Sequence, residues 1–223
     1  MSAHEMAHSD QVPADARRLV GIFYCDCHDP RVAKLAGKCA ASVRSAIPDA
    51  WIVHFTDKRT AKFSWADETV RKSGEGMGFM EFRIFHFGAY PHKEMLFLDA
   101  DTRVNRDPWD VFLDEFDVCL TARAERLKSA GEDVTDQMPY NTGVMFSKGP
   151  HFWRKVCQGL KGYPLDERMW FGEQVEIAKL AKSGEFRVKE VSDADYNYTP
   201  KTRDEDTSGR YIVHYKGTRK EWM

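Results

Sequence analysis

Asp99 and Asp101 stand one residue apart at the end of an uninterrupted apolar run, residues 95–98. If this run is a strand, alternation along the backbone points both carboxylates to the same side, where a parallel strand leaves its sheet and ligands commonly bind. Two like charges so close raise each other's pKa unless a cation lies between them. The pair therefore indicates a site for a hard divalent metal ion.

Three interpretations of this Asp-x-Asp pair stay open on these residues alone. The bland one is a pair of turn aspartates that cap the next segment. The second is an aspartyl-phosphate phosphatase with Asp99 as nucleophile, although Arg103 stands where such motifs usually have threonine. The third is glycosyl transfer, in which both aspartates hold a metal ion that neutralises a departing diphosphate.

Several separated segments favour glycosyl transfer. The pair itself lies in residues 97–102 (FLDADT), and Arg83 precedes Asp99 by sixteen residues on a predicted helix. Downstream lie residues 140–144 (YNTGV), residues 172–174 (GEQ) and residues 214–222 (HYKGTRKEW). Together they resemble the family 8 glycosyltransferases, the glycogenin-like group with the GT-A fold and nucleotide-sugar donors. Glu173 and Glu221 depart from the family pattern, which has aspartate and proline there.

The resemblance implies a metal site and a donor site. The metal ligands would be Asp99, Asp101 and His214, a mixed carboxylate and imidazole set that suits Mn²⁺ at least as well as Mg²⁺. The donor would be a UDP-sugar, transferred with retention of configuration to an acceptor that the sequence leaves open. Gly217 would let the backbone approach the diphosphate, and Lys220 would place a positive charge on the leaving phosphate. Ala100, between the two aspartates, would also contact the donor.

For the other site residues the resemblance decides between a role in the donor site and a purely structural role. Arg83 would clamp the donor phosphates rather than lie on a polar helix face. Asn141 and Gln174 would fix sugar hydroxyls rather than serve as a turn residue and an exposed helix residue. Glu173 would help to stabilise the positive sugar centre, and it is the one carboxylate that a double displacement could use. A catalytically idle sugar-nucleotide-binding protein with the same residues is the remaining alternative.

Tyr24 and Asp26, at the end of the first predicted strand, are plausible contacts for the base and ribose of the donor, although a strand-end tyrosine is more often simply packed. The neighbouring Cys25 and Cys27 have the wrong spacing for a zinc knuckle and no second pair. The five cysteines are scattered through apolar stretches, which favours reduced core thiols over a disulfide framework.

The elements that must position these residues follow from hydrophobic periodicity. Apolar runs predict buried strands, and repeats of three and four predict helices between them, the first of which begins at Asp29 and Pro30. This alternation predicts an α/β fold with a mostly parallel central sheet flanked by helices. The resemblance implies that this fold is a single GT-A type domain with a Rossmann-like sheet. Strands are expected at residues 19–24, 51–55, 95–98, 118–122, 144–147, 187–191 and 211–215, and helices at 32–47, 79–89, 151–160 and 173–182. Residues 199–209 read as a mobile polar loop.

Length and charge bound the remaining possibilities. A chain of 223 residues with 42% hydrophobic content can bury one substantial core, whereas two domains would each be marginal. We therefore expect a flexible tail at residues 1–18 and one catalytic domain at residues 19–223. A net charge of −2 mildly disfavours a nucleic-acid acceptor. The N-terminal residues lack the apolar core of a signal peptide and no long apolar run occurs, so a cytoplasmic protein without a membrane span is expected.

Overall fold

A computed structural model of the protein describes residues 18–26 and 31–223. The tail predicted for residues 1–18, apart from Arg18, lies outside the described residues, as do Asp29 and Pro30 and the Cys27 of the close cysteine pair. The strands are β1 (Arg18–Phe23), β2 (Ala50–Asp57), β3 (Glu68–Lys72), β4 (Met95–Asp99), β5 (Thr102–Val104), β6 (Val118–Ala122), β7 (Lys128–Ser129), β8 (Glu132–Asp133), β9 (Tyr140–Ser147), β10 (Val188–Ser192) and β11 (Ile212–His214).

Six α-helices lie between or after these strands in the described chain. They are α1 (Arg31–Ala46), α2 (Phe79–Ala89), α3 (His151–Leu160), α4 (Leu165–Trp170), α5 (Gly172–Lys182) and α6 (Asp193–Tyr196). Two 3-10 helices, Trp109–Leu113 and Gly217–Trp222, complete the elements. Among the described residues no helix has the length and apolarity that crossing a membrane requires.

Seven strands form the central sheet in the order β10-β6-β9-β4-β1-β2-β3. Every neighbouring pair is parallel except the two pairs that β9 makes with β4 and β6. Apolar clusters cover both faces of this sheet, which explains why its inner strands read as continuous apolar runs rather than alternating ones. The predicted α/β architecture, a mostly parallel sheet flanked by helices, is confirmed.

A small second sheet brings the end of the chain back to the Asp-x-Asp segment. Directly after Asp101 the chain forms β5, which pairs antiparallel with β11 so that Thr102 lies opposite His214. The C-terminal strand predicted at residues 211–215 is thus shorter and belongs to this ribbon, not to the central sheet. Hydrophobic periodicity could not predict this pairing, because the apolar pattern of a short strand does not indicate which strand it pairs with.

The sequence prediction missed the short elements β5, β7, β8, α6 and the two 3-10 helices, and it also missed β3 and α4. Strand β3 has the sequence ETVRK and is only partly buried, because it is the edge strand of the sheet. Helix α4 is six residues long and has no buried residue, so it lacks the apolar stripe by which helices are recognised. Residues 199–209 contain no helix or strand, in agreement with the predicted loop.

Candidate functional site

The candidate site lies at the carboxyl end of β4, whose last residue is Asp99. Strand β4 has the parallel β1 on one side and the antiparallel β9 on the other. Its carboxyl end therefore meets the end of β1 and the start of β9 at the same edge of the sheet. Clefts at such a change of direction are where open α/β sheets bind their ligands.

Asp99, Asp101 and His214 form a three-residue cluster there, with one possible ligand atom from each lying within 4.8 Å of the others. The Nε2 atom of His214 is 3.1 Å from Oδ1 of Asp101 and 3.7 Å from Oδ2 of Asp99. Adjacent ligands of an octahedral ion with bonds of about 2.1 Å are about 3 Å apart. The predicted triad is therefore assembled at a spacing that a divalent ion can bridge.

The tautomer of His214 is set by Asn197. The Nδ2 group of Asn197 donates hydrogen bonds of 2.8 Å to the backbone carbonyl of Asn141 and to Oγ1 of Thr121. A carbonyl can only accept, so the other amide atom, Oδ1, must face His214, whose Nδ1–H donates to it over 2.9 Å. Nε2 is thus the ring atom that faces the two carboxylates, and in the neutral tautomer that binds a metal ion its lone pair is directed at them.

Gly143 makes room for this cluster. A Cβ atom at position 143 would lie 2.2 Å from Cε1 and 2.3 Å from Nδ1 of His214, and 3.2 Å from Oδ2 of Asp99. Any side chain there would displace the imidazole. The glycine of the YNTGV segment thus has a packing role at the Asp99, Asp101 and His214 cluster that its sequence context did not reveal.

Lys220 completes the cluster from the C-terminal 3-10 helix. Its Nζ atom lies 3.2 Å from Oδ2 of Asp101, and its side chain is 42% exposed. Burial alone would raise the pKa of Asp101, but His214 and Lys220 outweigh it and hold that pKa well below its usual range. Asp101 is therefore ionised at neutral pH, and Lys220 remains accessible from solvent.

Arg83 is buried beneath the cluster instead of facing an open cleft. Its guanidinium contacts the carboxylate of Asp99, donates to Glu173 over 2.5 and 3.2 Å, and donates to Oγ1 of Thr142 over 3.0 Å. Burial works against its charge, but Glu173 and Asp99 outweigh this and raise the pKa of Arg83. In this structure Arg83 thus orients Asp99. Glu173 is fully buried against Arg83, away from solvent.

The two predicted sugar contacts differ in how far their polar groups are engaged. Asn141 is 4% exposed, and its Nδ2 group is buried with no hydrogen-bond partner. A buried donor left unpaired is costly, so this atom is suited to a ligand acceptor group. Gln174 is half-buried, and its Oε1 accepts a 2.7 Å hydrogen bond from Arg123. Arg123 had no signal in the sequence that marked it as a site residue.

The remaining predicted contacts lie around the same edge. Tyr24 is buried, stacked on His54 at 6.1 Å between ring centroids, and its hydroxyl bonds the carboxylate of the exposed Asp26. Ala100 is buried between the two aspartates. Gly217 begins the C-terminal 3-10 helix with a φ of +60°, a left-handed conformation that favours glycine. The tyrosine ring therefore belongs to the core, and Asp26 is the exposed member of that pair.

The charge of the cluster also favours a cation. Asp99, Asp101 and Glu173 supply three negative charges, and Arg83 and Lys220 supply two positive ones, so the net charge is −1 when His214 has the neutral form that a metal ligand requires. A divalent ion would change the net charge to +1. An anionic ligand such as a diphosphate would then be attracted to this edge of the sheet.

Neither a protein-family model nor a curated protein sequence matches the chain. Solved structures do. The galactosyltransferase LgtC, crystallised with donor and acceptor sugar analogs, is 14% identical over 90% of this chain and 87% of its own, with a TM-score of 0.60. A glycosyltransferase involved in glycosylation of the major capsid of PBCV-1 is 18% identical over 92% of this chain and 96% of its own, with a TM-score of 0.58.

A third match is the glycosyltransferase GlyE of Streptococcus pneumoniae TIGR4, which is 15% identical with a TM-score of 0.61. The match spans 92% of this chain and 56% of the GlyE chain. At such low identities the likeness concerns the arrangement of the backbone. The chain therefore has the GT-A glycosyltransferase fold.

Proposed function

We propose that the protein is a metal-dependent glycosyltransferase that moves a sugar from a nucleotide-diphosphate donor, a UDP-sugar, to an acceptor, with retention of configuration. The observation that carries this proposal is the Asp99, Asp101 and His214 cluster at the carboxyl end of β4 in a GT-A fold. Residues 19–223 would form the catalytic domain.

When bound, Mn²⁺ or Mg²⁺ would act as a Lewis acid on the diphosphate and stabilise its negative charge as it leaves. Lys220, beside Asp101, adds a positive charge on the solvent side of the same group. Arg83 holds Asp99 in place from below, and Asn197 holds His214. The unpaired Nδ2 of Asn141 is available to a hydroxyl of the transferred sugar.

Glu173 is poorly placed to form a covalent sugar intermediate in this structure. Its side chain is 0% exposed, and both of its oxygens accept hydrogen bonds from Arg83. A nucleophile must reach the anomeric carbon with a free lone pair. We therefore favour a reaction in which the acceptor attacks from the face that the leaving group vacates. If the donor is α-linked and the anomeric proton signal in the NMR spectrum of the product shows a β linkage, retention is contradicted.

The phosphatase alternative finds less support in the geometry. Asp99 would have to present one carboxylate oxygen to a phosphorus atom. Its Oδ1 accepts from Arg83, and its Oδ2 lies 3.7 Å from Nε2 of His214. Oδ1 is thus engaged by Arg83, and Oδ2 faces the imidazole with which it would share a metal ion. An idle nucleotide-binding protein is less favoured because the ligand triad and Lys220 are all present.

Thermal unfolding tests the proposal. Wild-type protein and Asp101→Asn are melted with and without Mn²⁺, each combined with UDP or GDP. A ligand at a hundred times its Kd stabilises the folded state by about 2.7 kcal/mol, which a melting curve resolves. We expect a Mn²⁺-dependent shift with UDP that the variant loses. The absence of a shift with every nucleotide would contradict the proposal.

A further inference from the structure

A cavity of about 500 Å³ opens near the candidate site, at the edge of the sheet where β4 and β6 end, and most of its charged lining residues are positive. Among its lining residues only Glu125 and Asp193 are acidic. Six are basic, which gives the lining a net charge of +4 in a chain whose net charge is −2. These six are Arg123, Arg126, Lys201, Arg210, Lys216 and Arg219, and we call the space between them the basic cavity.

Only half of these positive charges are neutralised within the protein. Lys201 pairs with Glu125 at 2.9 Å, Arg210 with Asp195 at 3.2 Å, and Arg126 with Asp133 at 3.5 Å. Among the described residues, Arg123, Lys216 and Arg219 have no carboxylate within ion-pair distance. The Nε of Arg219 is moreover buried without a hydrogen-bond partner. Burial lowers the pKa of Arg123, and Asp193 only partly offsets this.

Three unpaired cations around one concave space repel one another and bury charge at a cost, unless an anion enters. A volume of this order is typical of small-molecule sites rather than of nucleic-acid surfaces, which are extended basic stripes. The basic cavity therefore fits a small ligand that carries at least one negative charge.

The basic cavity adjoins the proposed transfer site. Arg123 follows β6, which is parallel to β4 and two strands away from it, a lateral distance of about 10 Å. Arg123 also donates to Gln174 over 2.7 Å. Lys216 directly precedes Gly217, and Arg219 directly precedes Lys220, whose Nζ bonds Asp101. A ligand in the basic cavity would therefore reach the metal cluster within the length of one or two sugar rings.

The basic cavity and the expected nucleotide site lie on opposite sides of β4. Asp26, the exposed member of the expected pair of nucleotide contacts, follows β1, which lies on the opposite side of β4 from β6. A donor whose diphosphate lies at Asp99 and whose nucleotide lies over β1 leaves the β6 side for the acceptor. The diphosphate of the donor would already face Lys220 and the divalent ion held by the Asp99, Asp101 and His214 cluster, so the donor does not explain the three unpaired cations.

We propose that the basic cavity binds an anionic group of the acceptor, which would be a saccharide that carries a phosphate or carboxylate. This inference rests on the proposed function and names its acceptor class. In the transfer, a hydroxyl oxygen of that saccharide bonds to the anomeric carbon of the donor sugar, and the bond from that carbon to the diphosphate breaks. The electron pair stays on the diphosphate, which also receives the hydroxyl proton.

Calorimetric titration tests this with four probes: glucose 6-phosphate, glucuronate, glucose and inorganic phosphate. Each is titrated into wild-type protein, into Lys216→Gln/Arg219→Gln, and into Lys93→Gln/Lys161→Gln. The last variant removes the same charge from two exposed lysines outside the cavity. Binding of UDP with Mn²⁺ is measured in all three proteins, because it reports on the proposed function separately.

We expect glucose 6-phosphate or glucuronate to bind at least about tenfold more tightly than glucose, since a hydrogen bond to a charged group contributes more than a neutral one. Which of the two binds distinguishes a phosphate from a carboxylate. The cavity variant should lose this preference and keep UDP binding, and the exposed-lysine variant should keep both. The preference should also weaken with added salt.

Equal affinity for glucose and its anionic derivatives, with UDP binding intact, would overturn the acceptor subsite and leave the transferase proposal standing. A preference that survives in the cavity variant would overturn it too. Inorganic phosphate that binds as tightly as glucose 6-phosphate would show that the cavity recognises a bare anion and not a saccharide, and this too would overturn the acceptor subsite. If the wild-type protein does not bind UDP in the presence of Mn²⁺, the proposed function is overturned, and the acceptor role with it.

Discussion

The side-chain oxygen of Asn197 lies 2.9 Å from Nδ1 of His214 and thereby decides which ring nitrogen faces Asp99 and Asp101. The orientation of the asparagine amide is in turn decided by the carbonyl of Asn141, which can only accept. A backbone group on β9 thus sets the proton position of a candidate metal ligand on β11. The role of Asn197 can therefore be tested by mutation, in the same way as the roles of the candidate ligands.

Replacement of Asn197 by alanine should weaken Mn²⁺ binding by about 10- to 100-fold, because the imidazole loses the partner that fixes its tautomer. Electron paramagnetic resonance of free Mn²⁺ measures the affinity, and ¹⁵N chemical shifts of the His214 ring report the tautomer. Asn105→Ala, which removes a hydrogen bond to the carbonyl of Thr207, is the control. Unchanged affinity in Asn197→Ala would show that the ring is held by packing alone.

Gly143→Ala should abolish Mn²⁺ binding while the protein still folds. The added methyl group would lie 2.2 Å from the His214 ring, so the ring must move out of the cluster. Overpacking of this kind costs about 1 to 3 kcal/mol of stability. Urea unfolding measures that cost, and Mn²⁺ titration measures the loss of the site. Gly209→Ala, where nothing lies within 4 Å of the new atom, should change neither quantity.

Arg83→Met should destabilise the fold by about 3 to 5 kcal/mol, because Glu173 would keep a buried charge without its partner. Adding Glu173→Gln should recover part of this loss, since it removes the unpaired charge. Urea unfolding of the wild type, both single variants and the double variant measures the coupling. Additive effects of the two substitutions would contradict a direct interaction between the buried pair.

Lys220→Ala should lower kcat in a sugar-transfer assay by about 100-fold, a magnitude typical of losing one group that stabilises developing charge. Its side chain is 42% exposed, so the free energy of unfolding should change by less than about 1 kcal/mol. The comparison of kcat with a melting curve separates catalysis from stability. An unchanged kcat would remove Lys220 from the site.

Acid should destabilise the protein through two buried histidines. Burial lowers the pKa of His54 to about 4 and that of His86 to about 3. Between pH 6.5 and these values the unfolded chain binds more protons than the folded one, so stability is complete above pH 6.5 and falls as the pH drops. Each histidine contributes a slope of up to about 1.4 kcal/mol per pH unit.

Urea unfolding at pH 7.5 and pH 5.5 measures this dependence. His86→Leu removes one titrating group from a site where both ring nitrogens lack hydrogen-bond partners, so its stability should fall less between the two pH values. An equal fall in the variant and the wild type would place the acid sensitivity elsewhere.

Much of the candidate site was predictable from local sequence. The apolar run before Asp99 predicted a buried strand, and the resemblance of the HYKGTRKEW segment marked His214 and Lys220. Strand alternation was expected to bring Asp101 to the side of Asp99, but β4 ends at Asp99, and the turn at Ala100 and Asp101 brings the two carboxylates together instead. The helix predicted at residues 79–89 has the observed bounds, Phe79–Ala89, because its apolar residues recur at helical spacing. The strand and the helix depend on backbone periodicity, which is visible in the spacing of apolar residues along the local sequence.

What the side chains do at the site was decided by tertiary structure. Arg83 was expected to clamp donor phosphates, yet its guanidinium is buried between Asp99 and Glu173. Asn197, Arg123 and the packing role of Gly143 had no signal in spacing, since their partners lie 17 to 76 positions away along the chain. Hydrogen-bond direction, burial and charge pairing arise only when distant segments meet, so the sequence determined the elements and their motifs, and packing determined which atom faces which.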